Sequence, residues 1–172
     1  KQGWVLVGGA ENDVLARVYQ AVLEIVPEKN RTKDSLVLRA TADNAFVLTE
    51  AANKLAEQAL ALRSDYACYT ALPHGSGLEY IRLQALSTAF AQASDAYDRE
   101  HVCPYIYKNP HLFRIHRPEI DIHLRHPELN LSVDTEEDLL RAKNLYARLG
   151  GPCALDEKIV KTAQKLSVQV GN

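Results

Sequence analysis

Three features that mark common protein classes are missing from this 172-residue sequence. No apolar run approaches the roughly 20 residues of a membrane-spanning helix, so we expect no membrane span. The amino-terminal residues lack the charged, apolar and cleavage regions of a secretory signal peptide. Basic residues are not in excess, because 20 lysines and arginines stand against 22 aspartates and glutamates, for a formal net charge of −2. That balance disfavours a nucleic-acid binder with a basic face.

Sulfur-containing residues are also scarce, with three cysteines and no methionine. Cys68, Cys103 and Cys153 form no C-x-x-C pair, and an odd, sparse set is typical of reduced thiols in a cytoplasmic protein. Cys103 has no evident basic partner beyond His101, so we expect it to pack rather than to act as a nucleophile. The lack of even an initiator methionine predicts that this sequence is a piece of a longer protein.

Glycine-rich phosphate loops and nucleophile motifs are absent as well. The sequence has no G-x-S-x-G, no Walker loop and no G-x-G-x-x-G. Hydrophobic residues make up 47% and charged residues 24%, as in an ordinary globular domain. We therefore expect a single domain over residues 1–172 that needs neither disulfides nor structural zinc.

Short apolar segments alternate with helical segments along the chain. Apolar and β-branched runs predict strands at 4–7, 36–41, 66–70, 78–83, 113–116 and 129–133. Apolar spacing and caps predict helices from Asn12 to Pro27, from Thr49 to 62, over 85–93, over 99–107 with Asp98 as cap, and from Asp134-Thr135 to Gly150. Thr135 and Asp138 approximate a capping box. The alternation predicts an α/β sheet with parallel pairing, covered on both faces.

Two carboxylates follow predicted strands, where open α/β sheets bind ligands. Asp43 comes after the strand at 36–41, and Asp134 comes after the strand at 129–133. If those strands are close neighbours, both acids face one crevice, and two carboxylates with substrate phosphates make a typical magnesium site. The alternative is that Asp134 is only a helix N-cap and Asp43 only a turn residue.

Three further residues are weaker candidates for substrate binding: Glu79, Arg99 and His101. Glu79 follows a Gly-Ser-Gly-Leu loop and could accept hydrogen bonds from a sugar hydroxyl, although a solvated edge-strand acid would look the same. Arg99 and His101 lie in the charged run at 98–101, and Arg99 could bind a carboxylate or phosphate in bidentate fashion. The alternative is a solvated first helical turn.

Histidines cluster in the second half of the chain, and they raise the alternative of a zinc site. His123 and His126 form H-x-x-H, and His116 lies upstream. The spacing is not H-E-x-x-H and no cysteine is nearby, so surface histidines are the simpler interpretation.

Four segments taken together resemble a known enzyme family. Residues 9–17, 39–43, 98–107 and 131–139 read GAENDVLAR, RATAD, DREHVCPYIY and LSVDTEEDL. In this order and at this spacing they resemble the cytidylyltransferase-like family of the spore coat polysaccharide biosynthesis protein F. That family is related to the synthetases that make CMP-activated sugar acids.

The resemblance implies an α/β fold with the three-layer, Rossmann-like mixed sheet of nucleotide-diphospho-sugar transferases. It implies a cytoplasmic enzyme of polysaccharide biosynthesis in which an oxygen of a sugar or sugar acid attacks the α-phosphate of CTP and pyrophosphate leaves. It also implies that Asp43 and Asp134 hold Mg²⁺, the same pair that the strand-end rule selects. Nucleic acid and membrane are not expected partners.

The sequence departs from the family pattern beside Asp43. The family follows its first aspartate with Cys-Pro-Leu, whereas this chain has Asn44-Ala45-Phe46. Ala42 replaces a glycine, and Ile81 stands where many relatives carry an acid. Ala42, Asn44 and Ala45 favour an alternative function, a non-catalytic, diverged nucleotidyltransferase module that binds a sugar or a partner protein.

A larger departure concerns the front of the family's fold. The strand and the Gly- and Arg-containing loop that grip the triphosphate have no counterpart here, so we expect a fold truncated at the N-terminus that is inactive alone. By resemblance, two missing strands would sit between the strands at 4–7 and 36–41. We therefore expect either direct pairing of those two strands or a homodimer that covers the gap.

Overall fold

A computed structural model describes Gly3 and residues 5–151 and 154–170. The chain packs as two compact units, formed by residues 1–38, 61–67 and 80–116 and by residues 39–60, 68–79 and 117–172. The single domain over residues 1–172 remains a prediction. None of the described helices combines the length and apolar character needed to cross a membrane.

The elements come in a mixed α/β order. They are α1 (Val14–Ile25), a 3₁₀ turn (Glu28–Asn30), β1 (Leu36–Arg39), α2 (Thr49–Ala61), β2 (Tyr66–Ala67), β3 (Glu79–Arg82), α3 (Leu83–Gln92), α4 (Ala96–His101), α5 (Pro104–Tyr107), β4 (Ile115–His116), a 3₁₀ turn (Ile122–Leu124), α6 (Glu136–Leu149) and α7 (Asp156–Val170).

The four strands form one mixed sheet in the order β1-β3-β2-β4, mainly within the first unit. Strand β2 is antiparallel to β3, with Tyr66 opposite Ile81, and parallel to β4, with Tyr66 opposite Ile115. Tyr66 and Ile81 are buried, at 2% and 0% exposure. The mixed α/β sheet predicted from the resemblance is therefore confirmed, with strands shorter than the apolar runs suggested.

Helix α1 begins one residue later than predicted. Its cap is Asp13, whose Oδ1 accepts a hydrogen bond from the Ala16 amide at 3.0 Å, so Asn12 as the cap was wrong. Its buried face carries Leu15 and stacks the Tyr19 ring on Phe90 of α3 at 4.7 Å. The predicted helix is therefore present, with its cap shifted by one position.

The single helix predicted over 99–107 is two short helices. Helix α4 is capped by Asp95, which accepts from the Tyr97 amide at 2.8 Å, so Asp98 as the cap was wrong. The chain turns at Val102, whose φ is +73°, and α5 begins at Pro104. Proline lacks an amide hydrogen and its ring clashes with the carbonyl four residues back, so one continuous helix cannot form.

The predicted strand at 4–7 does not pair with β1. Trp4 lies outside the described residues, and Val5, Leu6 and Val7 form no strand. Strand β1 is an edge of the sheet, and Leu38 on it is 51% exposed. Direct pairing is therefore not found in the described part of the chain, and a covering homodimer stays a prediction.

The second unit has its own apolar core. Helices α6 and α7 pack together, and buried residues of both surround the segment at 120–131 and the start of α2; the core includes Leu48, Ile120, Leu131, Leu145 and Val160. Helix α7 was not predicted. The strand expected at 129–133 is reduced to two isolated bridges, parallel between His74 and Asn130 and antiparallel between Asn44 and Ser132.

Candidate functional site

The second unit brings the backbones of the two predicted acids together. The Val133 amide donates a hydrogen bond to the Asp43 carbonyl at 3.0 Å, beside the antiparallel bridge between Asn44 and Ser132. The segment after β1 and the segment before α6 therefore run side by side. This register places Asp134 one residue beyond the direct partner of Asp43.

The turn that carries Asp43 is held without using its carboxylate. The Asn44 amide donates to the Thr41 carbonyl at 3.1 Å, and the Asn44 side chain donates to the Gly77 carbonyl at 3.1 Å. Asp43 is half-buried, and its carboxylate has no hydrogen-bond or ion-pair partner among the described residues. Asn44, a departure from the family pattern, thus supports the turn, and the neighbouring carboxylate stays open to a ligand.

Asp134 is exposed and is oriented by Ser132. The Ser132 hydroxyl lies 2.6 Å from Asp134 Oδ2 and 2.9 Å from Asn130 Oδ1. Its one proton can serve only one of these acceptors at a time. The Ser132 amide also donates to Asn130 Oδ1 at 2.9 Å, which fixes the position of the serine. One oxygen of Asp134 is therefore positioned, and the other has no partner among the described residues.

The predicted capping box of α6 is confirmed, and the cap is Thr135. Its hydroxyl accepts from the Asp138 amide at 3.1 Å, while the Asp138 carboxylate accepts from the amides of Thr135 and Asp134 at 3.0 and 3.1 Å. The reading of Asp134 as only an N-cap is thus wrong. The capping box holds the backbone amide of Asp134, and the Asp134 carboxylate takes no part in the cap.

Arg141 completes this support, which the sequence pattern did not reveal. Its guanidinium pairs with Asp138 Oδ1 at 2.6 Å and donates to the Ser132 carbonyl at 3.1 Å. Hydrogen bonds from Thr135, from Arg141 and from the Asp134 amide lower the pKa of Asp138 to about 2. Asp138 therefore stays ionised at neutral pH and keeps the backbone of Asp134 in place.

Gly75 is a second contributor that sequence reasoning missed. Its φ is +73°, and a Cβ there would lie 2.4 Å from the Ser132 backbone nitrogen. The neighbouring His74 carbonyl accepts from the Leu131 amide at 2.7 Å. The Gly-Ser-Gly run was read only as a loop, although glycine at this point is what lets two backbones approach so closely.

Glu79 is engaged within the chain. Its carboxylate forms an ion pair with Arg39, and the two side chains are 24% and 20% exposed. Arg39 is the first residue of the R-A-T-A-D segment, so this pair ties the end of β1 to the start of β3. Its predicted role in sugar binding stays a prediction.

Arg99 and His101 also have internal contacts. The Arg99 guanidinium donates to Asp13 Oδ2 at 2.8 Å and to the carbonyls of Phe90 and Ala93 at 3.2 and 3.0 Å. The His101 ring lies 4.2 Å from the Tyr97 ring. Arg99 thus ties α4 to α1 and α3, and its predicted role in substrate binding, like that of His101, stays a prediction.

The zinc hypothesis is wrong. Among the described residues, no group of three or more His, Cys, Asp or Glu side chains could hold a metal ion. His126 instead bonds Glu128 through Nδ1 at 2.8 Å, and Gln164 lies 3.0 Å from its Nε2.

Comparison with known proteins gives consistent results. A family model described as cytidylyltransferase matches residues 2–164. An uncharacterized protein of Methanocaldococcus jannaschii is 35% identical over 130 residues, covering 76% of this chain and 51% of that protein. The spore coat polysaccharide biosynthesis protein SpsF of Bacillus subtilis is 32% identical over 151 residues, covering 87% of this chain and 60% of that protein.

A solved structure shares the fold. The structure of a cytidylyltransferase from Leptospira borgpetersenii serovar Hardjo-bovis superposes with a TM-score of 0.81 at 18% identity, over 95% of this chain and 67% of that one. This chain spans between about half and three-fifths of the length of the two curated relatives. Because the family model matches residues 2–164, which include both the R-A-T-A-D turn and the helix that follows Asp134, this chain belongs to the cytidylyltransferase family.

Proposed function

We propose that this chain carries the acid pair of an enzyme that transfers a nucleotidyl group from CTP to a sugar or sugar acid. Family membership supports nucleotidyl transfer, and the likeness to a protein named for spore coat polysaccharide biosynthesis supports a saccharide acceptor. The observation that carries the proposal is the hydrogen bond between the Val133 amide and the Asp43 carbonyl, which puts Asp43 and Asp134 on adjoining segments.

The open carboxylates of Asp43 and Asp134 fit a magnesium ion. Both supply hard oxygen donors, and two carboxylates are the usual protein share of a site completed by water and substrate phosphates. When bound, the ion would neutralise phosphate charge and make an attacking hydroxyl easier to deprotonate. Ser132 would orient Asp134, and the turn at Asn44 would orient Asp43, so that neither acid has to be ordered when substrate arrives.

The chain alone should be poorly active or inactive. It has no Gly- and Arg-containing phosphate loop of the kind the family uses to grip the triphosphate, and its net charge is −2. Formation of a CMP-sugar by these 172 residues alone would contradict this part of the proposal.

The acid pair can be tested without turnover. Mn²⁺ substitutes for Mg²⁺ and is followed by electron paramagnetic resonance, so we expect Asp43→Asn and Asp134→Asn each to weaken Mn²⁺ binding about tenfold, because each removes one of two charged ligands. Glu137→Gln is the matched control, since it removes an exposed carboxylate from the first turn of α6.

Comparison of the two acid variants with this control distinguishes a nucleotidyltransferase from a non-catalytic module. We expect Glu137→Gln to bind Mn²⁺ like the wild type. Equal binding by all four proteins would contradict the acid pair and would leave the non-catalytic module as the better description.

A further inference from the structure

A second cleft, of about 520 Å³, lies in the first unit and shares no residue with the acid pair. Arg63 and Asp65 come just before β2, Arg114 comes just before β4, and Arg82 ends β3. Because β2 is parallel to β4 and antiparallel to β3, the starts of β2 and β4 and the end of β3 lie at the same end of the sheet. Lys33 and Asp34, just before β1, complete the charged lining.

Both acids of the cleft already bind groups of this chain. Asp34 Oδ1 accepts from Arg82 Nη1 at 3.0 Å. Asp65 Oδ2 accepts from the Arg114 amide at 2.8 Å, and its Oδ1 lies 3.5 Å from Arg82 Nε. Arg82 is 6% exposed and also donates to the Ser64 carbonyl at 3.1 Å. Arg82 and the two aspartates thus form a closed set that supports the strand ends.

The three remaining cations of the lining form no ion pair with a described residue, although Arg82 and the two aspartates together carry a net charge of −1. Within the described residues, the side chains of Lys33, Arg63 and Arg114 have no hydrogen-bond or ion-pair partner. Four cationic and two acidic side chains give the lining a net charge of +2, counting His111 as neutral, in a chain whose net charge is −2. The cleft is therefore a local concentration of uncompensated positive charge.

Two backbone features lie beside these cations. Arg63 has a φ of +50°, a conformation that favours glycine, yet the position keeps a charged side chain. The ten-residue helix α3 begins at the cleft with Arg82 as its N-cap and has no side-chain cap. Its first two amides, at Leu83 and Gln84, donate to the carbonyls of Ser35 and Lys33 at 2.8 and 3.4 Å, so the helix adds its dipole and not these two amides to the cleft.

We propose that this cleft binds a small phosphate-bearing anion. Free guanidinium groups at Arg63 and Arg114 match the geometry of phosphate oxygens, which they bind in bidentate fashion. A lining with three unpaired cations and a net charge of +2 suits a multiply charged anion better than a single carboxylate. The cleft contains neither Asp43 nor Asp134. An anion bound by its arginines needs no divalent ion.

The test is calorimetric titration of the chain with inorganic pyrophosphate, without divalent ions. We expect saturable binding that weakens with added salt. Arg114→Gln and Arg63→Gly should each weaken it by at least about fivefold, since each removes a charged hydrogen-bond donor. Lys29→Gln, a matched loss of one charge outside the lining, and Asp43→Asn should leave the affinity within about twofold.

Arg63→Gly separates binding from folding. Glycine relieves the positive φ at this position, so the variant should melt at the same or a higher temperature while it binds the anion less well. Titrations with phosphate and with citrate identify the class of ligand. We expect inorganic phosphate to bind, and we expect citrate to bind more weakly than pyrophosphate. Absence of saturable binding, equal binding by Arg63→Gly and Arg114→Gln, citrate binding as tight as pyrophosphate, or loss of binding in Asp43→Asn would each overturn the proposal.

Discussion

At the scale of single residues, the candidate site depends on groups other than the two acids. Gly75 lets its loop approach Ser132, Ser132 orients Asp134, and Asp138 with Arg141 holds the backbone between them. The acids themselves were visible in the sequence because they follow apolar runs. The supporting residues were not, because their contacts join segments that are distant along the chain.

Gly75→Ala should destabilise the chain more than Gly150→Ala. Both glycines have positive φ, +73° and +77°, but a Cβ at Gly75 would meet the Ser132 backbone, whereas at Gly150 it would meet nothing within 4 Å. We expect roughly 1 kcal/mol for Gly150→Ala from the left-handed conformation alone, and about 2 kcal/mol or more for Gly75→Ala. Urea denaturation measures both, and equal losses would contradict the close approach at Ser132.

Asp138 should make the stability of the chain fall in acid. Its pKa is about 2 in the folded chain and 3.8 in the reference state, so the unfolded chain binds the proton more readily. Its contribution is complete above about pH 4 and is lost as the pH falls through about 2. Comparing urea midpoints of the wild type and Asp138→Asn at pH 5 and pH 3 tests this, and an unchanged pH slope in the variant would contradict it.

At the scale of elements, capping residues predicted where a helix begins and ends better than apolar runs predicted how long a strand is. Thr135 and Asp138 mark the start of α6, and Gly150 marks its end in the left-handed conformation, because caps are local chemistry. The strand at 129–133 shrank to two bridges because its partners, His74 and Asn44, are distant segments that the run itself cannot specify.

Helix α7 escaped prediction for the same reason, since its amino end is tied to α2. The Asp156 amide donates to Glu50 at 3.0 Å, and the Asp156 carboxylate accepts from the Ala51 amide at 2.8 Å. The two helices thus cap each other across more than a hundred residues. The residues around 156 give no indication in the sequence that α2 is their partner.

Asp156→Ala should therefore cost about 1–2 kcal/mol, the usual loss on deleting a helix cap, because the Ala51 amide is left unpaired. Asp156→Asn keeps an acceptor and should cost less. Burial, reinforced by the Glu50 charge, raises the pKa of Asp156, so its ionisation opposes folding and its effect on stability improves as the pH falls toward 4. Chemical denaturation at pH 7 and pH 4.5 checks this, and a larger loss in the asparagine variant than in the alanine variant would refute the capping role.

At the scale of the whole molecule, the sequence predicted the family and the mixed sheet, but not helix α7 or the break between α4 and α5. The gap expected beside the strand at 36–41 also predicted that this strand would lie at an edge of the sheet. Strand β1 is that edge, and Leu38 on it is 51% exposed. Exposed edges of this kind pair readily with other chains.

If a homodimer covers this edge, Leu38→Lys should shift the chain toward monomer, because a charge on an edge strand opposes pairing. Leu60→Lys is the control, since Leu60 is 57% exposed on α2 rather than on an edge strand. Sedimentation velocity over a concentration series measures the change. A wild-type chain that stays monomeric throughout would rule out the dimer.

The central claim is that Asp43 and Asp134 hold one divalent ion together, and a double-variant cycle tests it most directly. Mn²⁺ affinity is measured for the wild type, Asp43→Asn, Asp134→Asn and the double variant. If both acids bind the same ion, the wild type binds Mn²⁺ at one site, each single variant keeps that site about tenfold weaker, and the losses in the double variant are coupled. Two wild-type Mn²⁺ sites of which each single variant loses one, or no loss of affinity in either single variant, would contradict the account.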